Sequence, residues 1–309
     1  MNHLECVTPK RNKWWWYLLT VVGSFLASVI IGRILLSVYY LYAHIRTGCN
    51  WHAFVVGLKA NNNLLLFIEL FVFAILLVCM IVLIKVIHGR KWTEVINGTN
   101  HVRWSRFFHG FAFWSGLMLV GSLIDYFIDP NSFVWQFNLG KFILLFFISI
   151  ILVPIQTSCE EFIFRGYLTQ GFASWTKNRW CALIFPSLLF ALGHLFNPEC
   201  AGYGYGIMLA SYILTALTFG LITILDDGAE LAMGAHTANN LLTFLLIDYK
   251  DSVIPTNSLF YTTHFDPHEN FISSLILTII LIITMSRVYK WKFNVLNKKV
   301  ATKEMRSLF

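Results

Sequence analysis

Ser158-Cys159-Glu160-Glu161-Phe162-Ile163-Phe164-Arg165 sets two adjacent carboxylates inside an apolar run drawn over residues 142–172. A run of that length and polarity reads as a membrane helix, and an ionised acid at mid-bilayer costs roughly 2.5–3.5 kcal/mol on insertion scales. Ordinary packing gives no reason to accept that cost twice. In a helix, Glu161 and Arg165 stand at i and i+4 with the acid on the N-terminal side, the favourable order for an ion pair. Glu160 projects about 100° away around the axis and has no neutralising neighbour in sequence. Its partner must come from another helix, or it stays protonated. Glu161 and Arg165 therefore read as structural support, and Glu160 as chemistry.

The rest of the chain supplies a membrane setting. Of 309 residues, 57% are hydrophobic, 17% aromatic and 13% charged, against about a quarter charged in soluble domains. Further apolar runs lie at 14–45, 64–87, 107–128, 179–196, 207–225, 229–247 and 271–289, near or above the ~20 residues that cross a hydrocarbon core. Eight spans imply an all-α polytopic membrane helical bundle, because backbone polar groups in lipid must be satisfied within each segment. Lys and Arg are shared unevenly between alternate loops. One side carries Lys10, Arg11 and Lys13, then Lys85 through Arg106, then Arg165, Lys177 and Arg179, and finally the run from Arg287 to Arg306, whereas the other carries Arg46, Lys59, Lys141 and Lys250. That asymmetry predicts both termini on the cytoplasmic side and accounts for a formal net charge of +7. The basic tail reads as a topology signal lying near anionic lipid, not as a nucleic-acid site. Lys10-Arg11-Asn12-Lys13 before Trp14-Trp15-Trp16 reads as an uncleaved anchor with an interfacial aromatic belt, its apolar stretch being too long for a signal peptide.

Other features have ordinary readings. The six cysteines show no C-x-x-C or zinc-ribbon spacing and read as small buried apolar residues, although Cys49 and Cys200 fall in outer loops where a disulfide is open to them. Arg33 and Glu69 are open to pairing across helices, or Arg33 to snorkelling. Asp226, Asp227 and Glu230 read as a solvated helix entrance. Asn97-Gly98-Thr99 fits a glycosylation sequon on the wrong side of the membrane. There is no internal repeat and no low-complexity linker, so residues 1–309 read as one integral membrane domain.

Two more polar intrusions stand beside Glu160. Phe190-Ala191-Leu192-Gly193-His194 sets a histidine near the end of the fifth run, and His236-Thr237-Ala238-Asn239-Asn240 sets His236 and Asn240 on one helical face at i and i+4. At 1.5 Å per residue from the cytoplasmic ends, Glu160 lies roughly 18 Å deep, His194 about 22 Å, His236 about 12 Å and Asn240 about 18 Å. That estimate requires the fourth helix to continue past Glu160 to about Gln170. Such a cluster suits hydrolysis: a carboxylate and an imidazole take a proton from water and return it to a leaving amine, while Asn and His donors stabilise an oxyanion. Cys159 projects from a different angle and reads as packing.

Glu160-Glu161-x-x-x-Arg165, Phe190-x-x-x-His194 and His236-x-x-x-Asn240 resemble the three motifs of the CPBP family, the CAAX proteases and bacteriocin-processing enzymes also called Abi proteins. They occur in the family's order, each on its own apolar helix, and the resemblance covers about residues 142–247. It implies an intramembrane endopeptidase similar to the type II CAAX prenyl endopeptidases, acting near the C-terminus of a membrane-associated protein or peptide. By motif position, Glu160 would activate water with His194, His236 and Asn240 would form the oxyanion hole, and Glu161 and Arg165 would hold the geometry. The chain would then divide into N-terminal spans at 1–141, a catalytic core at 142–247, and a last span with a basic tail at 248–309.

Family members have been described both as metalloproteases and as metal-independent glutamic proteases. The sequence has no H-E-x-x-H, yet Glu160, His194 and His236 would make a zinc set with an open fourth position; metal-independent catalysis is the expectation. No residue pattern identifies a prenyl-binding cavity. The resemblance implies a plasma-membrane location in a bacterium or the endoplasmic reticulum in a eukaryote, with the site open to the cytoplasm. Two other readings stand beside proteolysis: a non-catalytic bacteriocin-immunity or peptide-binding membrane protein, and an ion-coupled transporter. The transporter predicts broken helices and repeated halves, and Gly202-Tyr203-Gly204-Tyr205-Gly206 reads as a turn, not a selectivity filter.

Overall fold

The structure, a computed structural model, describes residues 3–7 and 11–301. Lys10, Lys303 and Arg306 of the charge asymmetry lie outside the described residues. The chain opens with α1 (Trp14–Thr47), which turns at Gly48 (φ 70°), a left-handed conformation that glycine adopts without strain, into the short α2 (Trp51–Lys59). Asn61 caps α3 (Asn62–His88) by accepting from Leu64 N. α4 (Trp92–Asn97) crosses to α5 (Trp104–Ile128), and a turn leads into strand β1 (Phe133–Trp135).

Next comes one long rod. α6 (Leu139–Glu161) passes without a break through a π-helical segment, Phe162–Leu168, into α7 (Thr169–Thr176). α8 (Arg179–Gly193) returns and stops at His194, a turn leads through α9 (Pro198–Tyr203), and α10 (Tyr205–Asp226) and α11 (Glu230–Leu246) form an antiparallel pair. Strands β2 (Ile247–Tyr249) and β3 (Phe260–Thr262) precede α12 (Pro267–Tyr289).

The fold is the expected all-α bundle. Among the described residues, six helices are long and apolar enough to cross a membrane: α1, α3, α5, the rod Leu139–Thr176, α10 and α12. The runs at 179–196 and 229–247 fold as shorter helices, α8 with 15 residues and α11 with 17. The described residues also form a small sheet that the all-α reading did not contain, in the order β1-β3-β2, with β1 antiparallel and β2 parallel to β3. The rod meets the requirement that helix continue past Glu160. Its π segment begins one residue after Glu161, where wider turns are a known accompaniment of functional sites.

Packing around α11 explains how the site is placed. Gly110 of α5 and Gly234 of α11 let two backbones touch: a Cβ on Gly234 would lie 1.9 Å from Phe107 O, and one on Gly110 2.2 Å from Leu231 O. Small residues of this kind are what membrane helices use for close approach. At the end of the bundle where α1 begins, termed here the proximal end, Arg103 bonds Glu230 Oε2 through Nη2 at 2.6 Å and reaches Asp226 Oδ2 at 3.3 Å, and Arg106 joins Asp226 at 3.3 Å. Asp226 and Glu230 are therefore buried ion-pair partners, not a solvated entrance. The reason is tertiary: both arginines come from the α4–α5 region. Asn97 is likewise buried, donating through Nδ2 to Glu230 and to His101 O.

The proximal end is closed by residues from the start of the chain. Leu4 packs with Ala173, Ala182, Leu183, Ile224, Leu296 and Val300, Glu5 pairs with Arg179 at 2.8 Å, and the His3 ring reaches Arg165 O at 3.0 Å. Arg33 and Glu69 are both exposed, and among the described residues no ion pair joins them. Cys49 and Cys200 are free thiols.

Candidate active site

The carboxylates of Glu160 and Glu161 meet the same histidine from two sides. Glu161 is fully buried, and its Oε1 lies 3.0 Å from Arg165 Nη1 and 2.8 Å from His236 Nδ1. The i, i+4 pair read from sequence thus forms, and Glu161 also holds a ring from another helix. Because a carboxylate accepts, Nδ1 of His236 carries the proton that it donates, and Nε2 is left to face the site. Glu160, 9% exposed, sets Oε2 3.6 Å from that Nε2. The result is a chain, Arg165–Glu161–His236–Glu160, in which each group fixes the next.

α6 and α11 meet along a ladder of polar rungs. Gln156, one turn before Glu160, accepts from Asn240 Nδ2 at 3.1 Å, while Thr157 and Thr237 share a hydroxyl bond at 2.8 Å. Asn239 Nδ2 donates to Asn240 Oδ1 at 3.1 Å, and Trp114 Nε1 donates to Asn239 Oδ1 at 3.2 Å. An amide nitrogen has two donors, so Asn240 keeps one beyond its bond to Gln156. Gln156 was missed by the sequence reading. Its signal was a lone amide four residues before Glu160 in an otherwise apolar helix.

His194 stands one ring away. It lies just past α8, where its Nδ1 donates to Phe190 O at 2.8 Å and the ring packs on Phe190 at 4.4 Å between centroids. Phe190 is the hub of the site: the Arg165 guanidinium sits 4.3 Å from its centre, Phe164 meets it edge-on at 5.2 Å, and His236 lies 6.2 Å away. A desolvated guanidinium over an aromatic face is favourable by about 2 kcal/mol, so the first residue of the Phe190-x-x-x-His194 motif ties Arg165 to both imidazoles. Among the described residues, neither His194 nor Asn240 is hydrogen-bonded to Glu160. Cys159 is fully buried in an apolar cluster with Phe162, Ile163 and Tyr167, as packing requires.

Among the described residues no three His, Cys, Asp or Glu side chains converge as a ligand set. Nδ1 of His236 is committed to Glu161 and Nδ1 of His194 to Phe190 O, which leaves Nε2 as the open nitrogen of each ring.

A buried chain of carboxylates and an imidazole lies between helices of this polytopic bundle. Residues 139–242 match the model of a family described as type II CAAX prenyl endopeptidase Rce1-like. The stretch contains every motif residue from Glu160 to Asn240, and this is the CAAX-protease family to which the three motifs point. The chain is also 38% identical over 192 residues to "Uncharacterized protein YyaK" of Bacillus subtilis (strain 168), an alignment spanning 60% of this chain and 62% of that protein. The chain thus covers less than two thirds of that relative's length. No solved structure matches.

Proposed function

We propose that this protein is a glutamic-type intramembrane endopeptidase that hydrolyses a peptide bond near the C-terminus of a membrane-associated protein or peptide. The observation that carries the reading is the arrangement of the adjacent acids. Glu161 is neutralised by Arg165 directly, whereas the ion-pair partner of Glu160 among the described residues is a histidine whose other nitrogen is already held. Glu160, with His194 contributing its open Nε2, takes a proton from water while the water oxygen bonds to the scissile carbonyl carbon. The carbonyl oxygen becomes an oxyanion, accepting from the free amide hydrogen of Asn240 and from Nε2–H of His236. Donation by His236 requires the imidazolium, whose charge Glu161 supports from the far side. When the carbon–nitrogen bond breaks, the proton held at Glu160 passes to the leaving amine, which restores the carboxylate. Each such oxyanion donor contributes about 2.7–4 kcal/mol in other enzymes.

The reading includes catalysis without a metal, supported by the lack, among the described residues, of three His, Cys, Asp or Glu side chains grouped to share an ion. The test is cleavage of a quenched fluorescent library of short C-terminal peptides, prenylated and plain, by purified protein in lipid. Wild type is compared with Glu160→Ala, and each with and without chelator. Turnover abolished by the substitution and untouched by chelation is the expected result. A well-folded wild type that turns over nothing in the library would instead favour a peptide-binding or immunity role.

A further inference from the structure

His194 has a support of its own that none of the three motifs contains. The residue lies beyond the last turn of α8 (φ −97°, ψ 0°), so helix geometry does not fix its side chain. Two rings hold it: Phe190, and Tyr212 of α10, whose centroid lies 4.5 Å from that of the imidazole. The Tyr212 hydroxyl is in turn locked from both directions. It accepts from Asn197 Nδ2 at 2.7 Å and donates to Glu199 Oε1. The second oxygen of Glu199 accepts from Tyr249 OH of β2 at 3.1 Å.

Glu199 is the unexpected member. It is 5% exposed, and among the described residues no Lys, Arg or His lies within salt-bridge distance of it. A buried carboxylate without a cation is costly, and a neutral amide would serve as an acceptor at lower cost. What the charge adds is strength: hydrogen bonds to an ionised acceptor are shorter and roughly twice as strong as neutral ones. The same turn is fastened to His194 directly, because His194 O accepts from Asn197 N at 3.1 Å and from Cys200 Sγ at 3.4 Å. Asn197, Glu199 and Cys200 of the α8–α9 turn thus each bond either His194 or the ring that backs it.

We infer that Glu199 and Tyr212 are positioning residues for His194, with Glu199 acting through the Tyr212 hydroxyl to hold the imidazole in a single orientation and tautomer. This rests on the reading of His194 as part of the water-activating site. Nδ1–H is spent on Phe190 O, so Nε2 is the basic nitrogen, and it has no partner among the described residues. Fixing the ring aims that lone pair, and misplacement of a catalytic group by about 1 Å costs up to 100-fold in rate.

The test uses the full chain in lipid nanodiscs with 15N-labelled histidine, the His194 signals being assigned by their loss in His194→Gln. Wild type is compared with Tyr212→Phe, which keeps the ring and removes the hydroxyl, with Glu199→Gln, and with the double variant. The expected result is one Nδ1–H tautomer in wild type and averaged ring-nitrogen signals in both single variants, at unfolding temperatures close to wild type. On the peptide library, kcat falls about 10-fold to 100-fold with KM unchanged, and the double variant is no worse than the poorer single one, as expected for residues acting in one chain. An unchanged tautomer in both single variants overturns the inference, as do additive losses carried by KM. Averaged signals in variants of a protein that cleaves no peptide would keep the positioning role and remove the protease reading.

Discussion

Neighbouring residues of identical type do opposite work here, and substitution separates them. Glu161→Gln leaves the Arg165 guanidinium buried without its counter-charge, which costs about 3–5 kcal/mol, so the variant is expected to unfold at markedly lower temperature as well as lose turnover. Glu160→Gln breaks no ion pair with Arg or Lys, so the unfolding temperature is expected to stay near wild type while cleavage falls by about 100-fold or more. Thermal unfolding in detergent beside peptide cleavage checks both, and equal destabilisation by the two substitutions would overturn this division of roles. The Glu161–Arg165 pair was legible in the sequence because it is local to one helix. The bond from Glu161 to His236 was not, because it joins residues 75 positions apart, and nothing on either helix says which acid the ring will meet.

Among the elements, the meeting of α5 with α11 decides where His236 and Asn240 stand. Gly234→Ala drives a methyl group against Phe107 O, and overpacking of this kind costs about 1–3 kcal/mol even where flexible side chains can yield. Backbone cannot yield, so the expected outcome is an unstable protein with α11 displaced and activity lost. Gly116→Ala, on the same α5 but with open space around its Cβ, is expected to leave unfolding temperature and turnover unchanged. Circular dichroism melts of the pair provide the comparison. Gln156→Leu removes the acceptor for the half-buried Asn240 amide, a loss of about 0.5–1.5 kcal/mol measurable in the same melts. Runs of apolar residues announced the helices well. They did not announce the three-stranded sheet, whose strands have three residues each, nor the burial of Asp226 and Glu230, since charges beside a turn read as solvated until arginines from elsewhere are seen to cover them.

For the whole molecule, the proximal closure makes stability sensitive to acid. Burial holds the His3 imidazole below its ordinary value of 6.5, against the opposing pull of Asp227. The folded state therefore binds the proton less readily than the unfolded chain. Stability is complete above about pH 6.5 and is lost as the pH falls below it, by at most about 1.4 kcal/mol per pH unit for one group. Unfolding temperature measured from neutral pH downward is expected to decline more steeply in wild type than in His3→Gln, and parallel curves would remove His3 as the cause.

The early end of α8 acts on the surroundings as well as on the site. Its 15 residues reach about 22 Å, some 8 Å short of a typical hydrocarbon core, and Phe196, just beyond its end, is 92% exposed. Lipid beside this helix meets a short wall flanked by full-length ones, a hydrophobic mismatch confined to one flank that the bilayer relieves by thinning there. The expected consequence is a local dimple in the lipid beside α8, near the level of His194. Nanodiscs of short-chain lipid should raise its unfolding temperature and those of long-chain lipid lower it, so that the membrane's thickness becomes a condition of the site's integrity.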